Sequence, residues 1–136
     1  MQLNDKVSIT KIFSIEEIKN FAVASGDTNP IHLDEGYAEQ TAFGKPIVQG
    51  MLVSSLFGGL LGSKLPGNGT IYLGQNLKFL KPNFRGDEVL AVIELTHIRE
   101  DKPIYTFSTK CYNSKGELTI DGEAVIMYKE NGFNTQ

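Results

Sequence analysis

Positions 50–62 read GMLVSSLFGGLLG, thirteen residues without a charge. Met51, Leu52, Val53, Leu56, Phe57, Leu60 and Leu61 fall on nearly every face of a helical wheel. A helix apolar all round is one that is buried over most of its surface. The run is far short of the ~20 residues a membrane span needs. Gly58 and Gly59 each cost an isolated helix about 1 kcal/mol relative to alanine. Packing must offset that cost, so the rest of the chain has to enclose this segment.

The C-terminal half of the chain can do so. From residue 70 the apolar period changes from helical to two. Ile71, Leu73, Leu77 and Phe79 alternate with Tyr72, Gly74, Asn76 and Lys78. Runs at Val89–Leu95, Tyr105–Cys111 and Leu118–Ile126 repeat the pattern, with links at Pro82–Asp87 and Asn113–Gly116. Four strands in succession with short links predict an antiparallel sheet. The expected class is α+β, with a long central helix wrapped by that sheet. An open sheet has edges, and a second copy of the chain would protect one.

Before the helix the chain is less regular. Residues 6–12 form a candidate first strand. Ser14 precedes Glu17 by three, the capping-box spacing, with Phe13 placed as a staple. Ile15, Ile18, Phe21 and Val23 supply apolar positions for a helix over 15–24, and Gly26 stops it. Asn29-Pro30 favours a turn. A second short helix is expected over 34–40 with Asp34 as its cap, followed by a loop at 43–46. KLPGNG, 64–69, reads as a turn, because no strand–GxGxxG–helix context accompanies GNG.

A length of 136 residues suits one hydrophobic core, and a single domain over 1–136 is expected. The net charge of −3 lacks the basic excess of a nucleic-acid binder, although it does not exclude a local basic patch facing a phosphate. Cys111 is the only cysteine, so no intrachain disulfide forms, and it reads as a small buried hydrophobe. MQLNDKVSIT lacks the basic and apolar regions of a signal peptide, and a cytosolic, membrane-free protein is the expectation. The final NGFNTQ reads as a loose end.

Asp27 and His32 are the first candidates for chemistry. A carboxylate and an imidazole that share one water molecule can hold it and take its proton. An irregular segment suits the pair, because a turn can point both side chains into one pocket. A surface Asp on a turn beside a backbone-bonded His is the plainer alternative, since Asp-x(4)-His alone is weak. Gly50 is the second candidate. The first turn of a helix has unsatisfied N–H groups and the positive end of the dipole, and glycine allows close approach there. An ordinary cap of a core helix would look the same. Ser54 and Ser55 have no G-x-S-x-G context, which argues against a serine nucleophile. His97 has no evident partner, and two histidines give no zinc spacing.

SGDTNPIHLD at 25–34 and TAFGKPIVQGMLVSSLFGGLLGSKLPGNGTIYLGQNLKFLKP at 41–82 resemble the MaoC-like (R)-specific enoyl-CoA hydratases, particularly the short bacterial polyhydroxyalkanoate-associated type. The likeness extends to GEAVI at 122–126. It implies a hot-dog fold, usually dimeric, and reversible syn addition of water to a trans-2-enoyl-CoA, giving the (R)-3-hydroxyacyl-CoA. It implies no metal or redox cofactor, coenzyme A being part of the substrate. Carried over by position, Asp27 and His32 would activate the water and the Gly50 N–H would polarise the thioester carbonyl. Asn29 would shape the segment, and Ser55, Leu56 and Gly58–Gly59 would bear on the acyl pocket. Two positions depart from the pattern: Gln49 stands where histidine is common, and Gly58 where some short hydratases have serine. A hot-dog thioesterase and a non-catalytic acyl-CoA-binding subunit are the competing readings.

Overall fold

The computed structural model describes residues 1–130. The NGFNTQ end lies outside the described residues. The charge-free segment forms α4, Gly50–Ser63, one residue beyond the expected stop at Gly62. Val53, Phe57 and Leu61 are fully enclosed. They pack into one core with Ala91, Ile93, Leu95, Phe107, Cys111, Ala124 and Ile126 from the sheet.

Five strands are present among the described residues: β1 Lys6–Lys11, β2 Thr70–Phe79, β3 Val89–Ile98, β4 Ile104–Tyr112 and β5 Leu118–Tyr128. They form one antiparallel sheet in the order β1-β3-β4-β5-β2. The expected α+β class holds, and a long helix packed against this sheet is the hot-dog arrangement.

The central strands follow the period-two reading closely. β3 buries Val89, Ala91, Ile93 and Leu95 and turns the intervening residues outward or half outward. β2 follows it only at Leu77, which packs against the core. Ile71, Tyr72, Leu73 and Phe79 are all exposed, and the register with β5 shifts between Tyr72 and Gly74. β2 lies at the sheet's end, so one of its long sides has no neighbour, and the irregularity at residue 73 turns the strand.

α1, Ile15–Ser25, has the full capping box: Glu17 N–H donates to Ser14 Oγ and Ser14 N–H donates to the Glu17 carboxylate. Phe13 is buried beside it. The helix buries only a narrow stripe, Ile18 and Ala22, one i,i+4 pair. Ile15 and Val23, expected on the buried face, are exposed; Val23 is 84% exposed because it sits one position beyond the stripe. Gly26 ends α1 in the left-handed region at φ 79°, a conformation that glycine adopts without strain.

Between α1 and α4 the turn around Asn29-Pro30 is partly helical. Pro30–Leu33 forms one turn, α2, with Asn29 as N-cap and proline at the first helical position. The short helix expected over 34–40 is α3, Glu35–Glu39, capped by Asp34 through the Tyr37 N–H. No helix among the described residues is long and apolar enough to cross a membrane.

Candidate active site

Two short backbone links build the site. Ile47 N–H donates to Ile31 O at 3.2 Å, and Val48 N–H donates to Asn83 O at 2.8 Å. The segment entering α4 is thereby stitched to the His32 turn on one side and to the loop after β2 on the other. Gly50, three residues beyond Ile47, is held close to residues that are distant in sequence.

Asp27 is fixed by its own turn. Its N–H donates to Ser25 Oγ at 3.1 Å, and its Oδ1 accepts the Asn29 N–H at 3.2 Å. An aspartate bonding the backbone two residues on locks a turn. Oδ2 is left for chemistry and lies 3.6 Å from His32 Nε2. That is beyond a direct hydrogen bond and suits two groups that share a bridging water. The His32 side chain is 10% exposed and that of Asp27 43%.

His32 is oriented by its other nitrogen. Nδ1 lies 2.8 Å from Ile47 O. A carbonyl only accepts, so Nδ1 carries a proton, and the neutral tautomer that fits this contact has its lone pair at Nε2. A water between Nε2 and Asp27 Oδ2 finds two acceptors, one for each of its hydrogens. Its own lone pairs then point away from both.

The start of α4 supplies the complementary end. Gln49 is the N-cap, yet its side chain makes no capping bond. It turns back to α1, where Nε2 donates to Ile18 O at 3.0 Å. The first N–H groups of α4 therefore lack a side-chain partner. Gly50 lets the Phe79 ring approach closely. A Cβ on it would lie 2.6 Å from Phe79 Cε1 and 2.8 Å from Cδ1, inside the ring's contact distance.

Asp27, Gln49 and Gly50 line one cavity of about 530 Å³, with Met51, Phe79 and Ile120 among its apolar walls. His32 stands behind Asp27 and forms no part of that wall. Asn29 caps α2, with its Oδ1 accepting the Ile31 N–H, and does not reach the cavity. Ser55 is exposed, donates to Leu52 O, and lies outside the cavity. Ser25, Phe79 and Asn83 were missed as wall residues. Phe79 had an inward-facing position in the alternation as its only signal, and Asn83 had none. Two buried oxygens, Gln49 Oε1 and Asn83 Oδ1, have no hydrogen-bond partner among the described residues.

No cluster of three or more potential metal ligands occurs among the described residues. The arrangement offers an apolar cavity lined by one member of an acid/base pair, Asp27, and by an uncapped helix N-terminus. It suits addition of water to a carbon conjugated with a carbonyl, because the negative charge that develops on the carbonyl oxygen meets fixed N–H donors.

Comparison with known proteins gives a consistent result. The family model described as the MaoC like domain matches residues 2–113. An (R)-specific enoyl-CoA hydratase of Aeromonas caviae is 51% identical over 126 residues, 93% of this chain and 94% of that protein. A mitochondrial 3-hydroxyacyl-[acyl-carrier-protein] dehydratase of Arabidopsis thaliana is 40% identical over 93% of this chain and 77% of its own length. The solved structure of an (R)-hydratase from A. caviae involved in PHA biosynthesis superposes with a TM-score of 0.94 at 50% identity. It covers 95% of this chain and 98% of its own.

Proposed function

This chain belongs to the MaoC-like domain family, and we propose that it is an (R)-specific enoyl-CoA hydratase acting through Asp27, His32 and Gly50. The observation that carries the reading is that one cavity is lined both by Asp27, the partner of His32, and by Gly50 at the α4 N-terminus. The trans-2-enoyl thioester lies with its carbonyl oxygen at the Gly50 N–H. Water held between Asp27 and His32 attacks C3. The new C–O bond forms as one O–H bond breaks, the π electrons move toward the thioester oxygen, and a proton is delivered to C2. Both groups hold the water on one side of the substrate, so oxygen and proton add to the same face. Asp27, which lines the cavity, takes the water proton and returns it to C2, while His32 holds the other hydrogen. No step calls on a cofactor, and a cytosolic site of action goes with this reading.

The test is stereochemical. Crotonyl-CoA should lose its enoyl absorbance, and the product should be oxidised by an (R)-specific but not an (S)-specific 3-hydroxyacyl-CoA dehydrogenase. Exclusive (S) product would overturn the reading. Release of free thiol would indicate a thioesterase instead, and binding without turnover an acyl-CoA-binding subunit.

The working form is a homodimer joined along β2. Ile71, Tyr72, Leu73, Phe79 and Leu80 are each between 43% and 53% exposed on this edge, and Met51 is 59% exposed. A long apolar edge strand invites pairing with another chain. Ile71→Lys/Leu73→Lys is expected to halve the mass measured by light scattering. An unchanged mass would place the contact elsewhere or deny it.

A further inference from the structure

Three of the four helices among the described residues begin with a short polar side chain that accepts an N–H of the first turn: Ser14 for α1, Asn29 for α2 and Asp34 for α3. The start of α4 has none. Yet Gln49, the residue in that place, carries an oxygen able to accept. Gln49 is 2% exposed, and its Oε1 is buried without a hydrogen-bond partner among the described residues. An unpaired acceptor thus sits on the very residue that leaves the N–H donors uncapped. A buried polar group without a partner costs stability, so bonding one to the other would be favourable. The terminus is not open for want of an acceptor.

The bond to α1 accounts for it. Gln49 Nε2 donates to Ile18 O at 3.0 Å. Turning the amide over would set Oε1 against that carbonyl, acceptor against acceptor, so the orientation is fixed. Ile18 belongs to the buried stripe of α1, which makes the anchor a firm one. The amide is committed to α1 and makes no bond to the first turn of α4.

We propose that Gln49 is a positioning residue that holds the α4 N-terminus uncapped, keeping the positive end of the helix available to the thioester oxygen. The inference rests on the hydratase reading. It gives Gln49 no contact with the reacting atoms. A side-chain oxygen bonded to the Met51 or Leu52 N–H would place partial negative charge beside the Gly50 N–H. The field that meets the carbonyl oxygen would then be weaker. That oxygen is most negative in the transition state, so the effect belongs to kcat rather than to KM.

The experiment compares two variants by kcat and KM for crotonyl-CoA and by melting temperature. Gln49→Asn keeps the amide and removes one methylene. It is too short to hold the bond to Ile18 O, and asparagine is among the favoured N-caps. Gln49→Met fills similar space and can neither donate nor cap. Gln49→Met is expected to lose only a few-fold in kcat, from the lost brace to α1. Gln49→Asn is expected to melt several degrees above Gln49→Met and still show a kcat roughly tenfold below it, with KM within about threefold. A side chain that served only the fold would make kcat follow the melting temperature. The same ranking by both measurements therefore overturns the proposal. So does any result in which Gln49→Asn is not the slower variant, or a loss carried by KM. Gln49→Ser, a second capping side chain, takes the place of Gln49→Asn if that variant does not fold. If the wild-type protein does not hydrate crotonyl-CoA, the hydratase reading fails and the inference falls with it. If it does and the variants rank otherwise, the inference alone falls.

Discussion

Asp27→Asn is expected to leave a folded protein whose kcat for crotonyl-CoA falls by ~10²–10⁴-fold, the usual worth of a positioned general acid–base group. The amide oxygen can still accept the Asn29 N–H, so the turn that now depends on Asp27 Oδ1 survives. What disappears is a group that can take a proton from water and pass it on. His32→Ala should produce a loss of similar order by a different route. It removes both the Nε2 acceptor and the Nδ1 bond to Ile47 O that ties the turn to the approach to α4. His32→Gln separates the two contributions, because its amide can still donate to that carbonyl. The measurements are kcat for each variant and circular dichroism to establish folding. Normal turnover in folded Asp27→Asn, or in both histidine variants, would remove the pair from the mechanism.

The second large effect concerns Gly50, where two physical roles can be separated. Gly50→Ala keeps the N–H but drives a Cβ into the Phe79 ring. Activity is expected to fall steeply. Adding Phe79→Ala makes room and should restore much of it. Gly50→Pro with Phe79→Ala has the same relief but lacks the N–H. Proline is acceptable at the first helical position, and Gln49 already has the extended backbone that a following proline requires, with φ −55° and ψ 128°. This variant should fold and still lack ~10²–10³-fold in kcat, the cost of losing one oxyanion donor. Equal kcat in the two double variants would show that the Gly50 N–H does not polarise the carbonyl.

Much of this architecture was legible because burial leaves a periodic trace. α4 declares itself by having no polar face, and β3 by strict alternation. The same logic misplaced Val23, since an amphipathic reading assumes a wider apolar stripe than the Ile18–Ala22 pair that α1 buries. It also misread most of β2, where Ile71, Leu73 and Phe79 look like core positions but are exposed on a strand at the sheet's end, while Leu77 packs against the core as expected. The site was legible only in parts. Asp27 and His32 were visible as residue types in a turn, and Gly50 as a helix start. Their convergence depends on the Ile47–Ile31 and Val48–Asn83 hydrogen bonds. These are backbone bonds between irregular segments, indifferent to side-chain identity, so no periodicity records them. Ser55 shows the converse: a polar residue near the glycines of α4 is turned outward by helical phase.

Cys111 has a use of its own. It is fully enclosed in β4, and burial pushes its thiol up to about 12, so the reactive thiolate is scarce at neutral pH. The folded chain should therefore stay silent toward thiol reagents while any thiol freed from substrate reacts at once. The same silence makes Cys111 an intrinsic clock. Its labelling rate in the absence of denaturant measures how often the centre of the sheet comes open, without any probe being introduced.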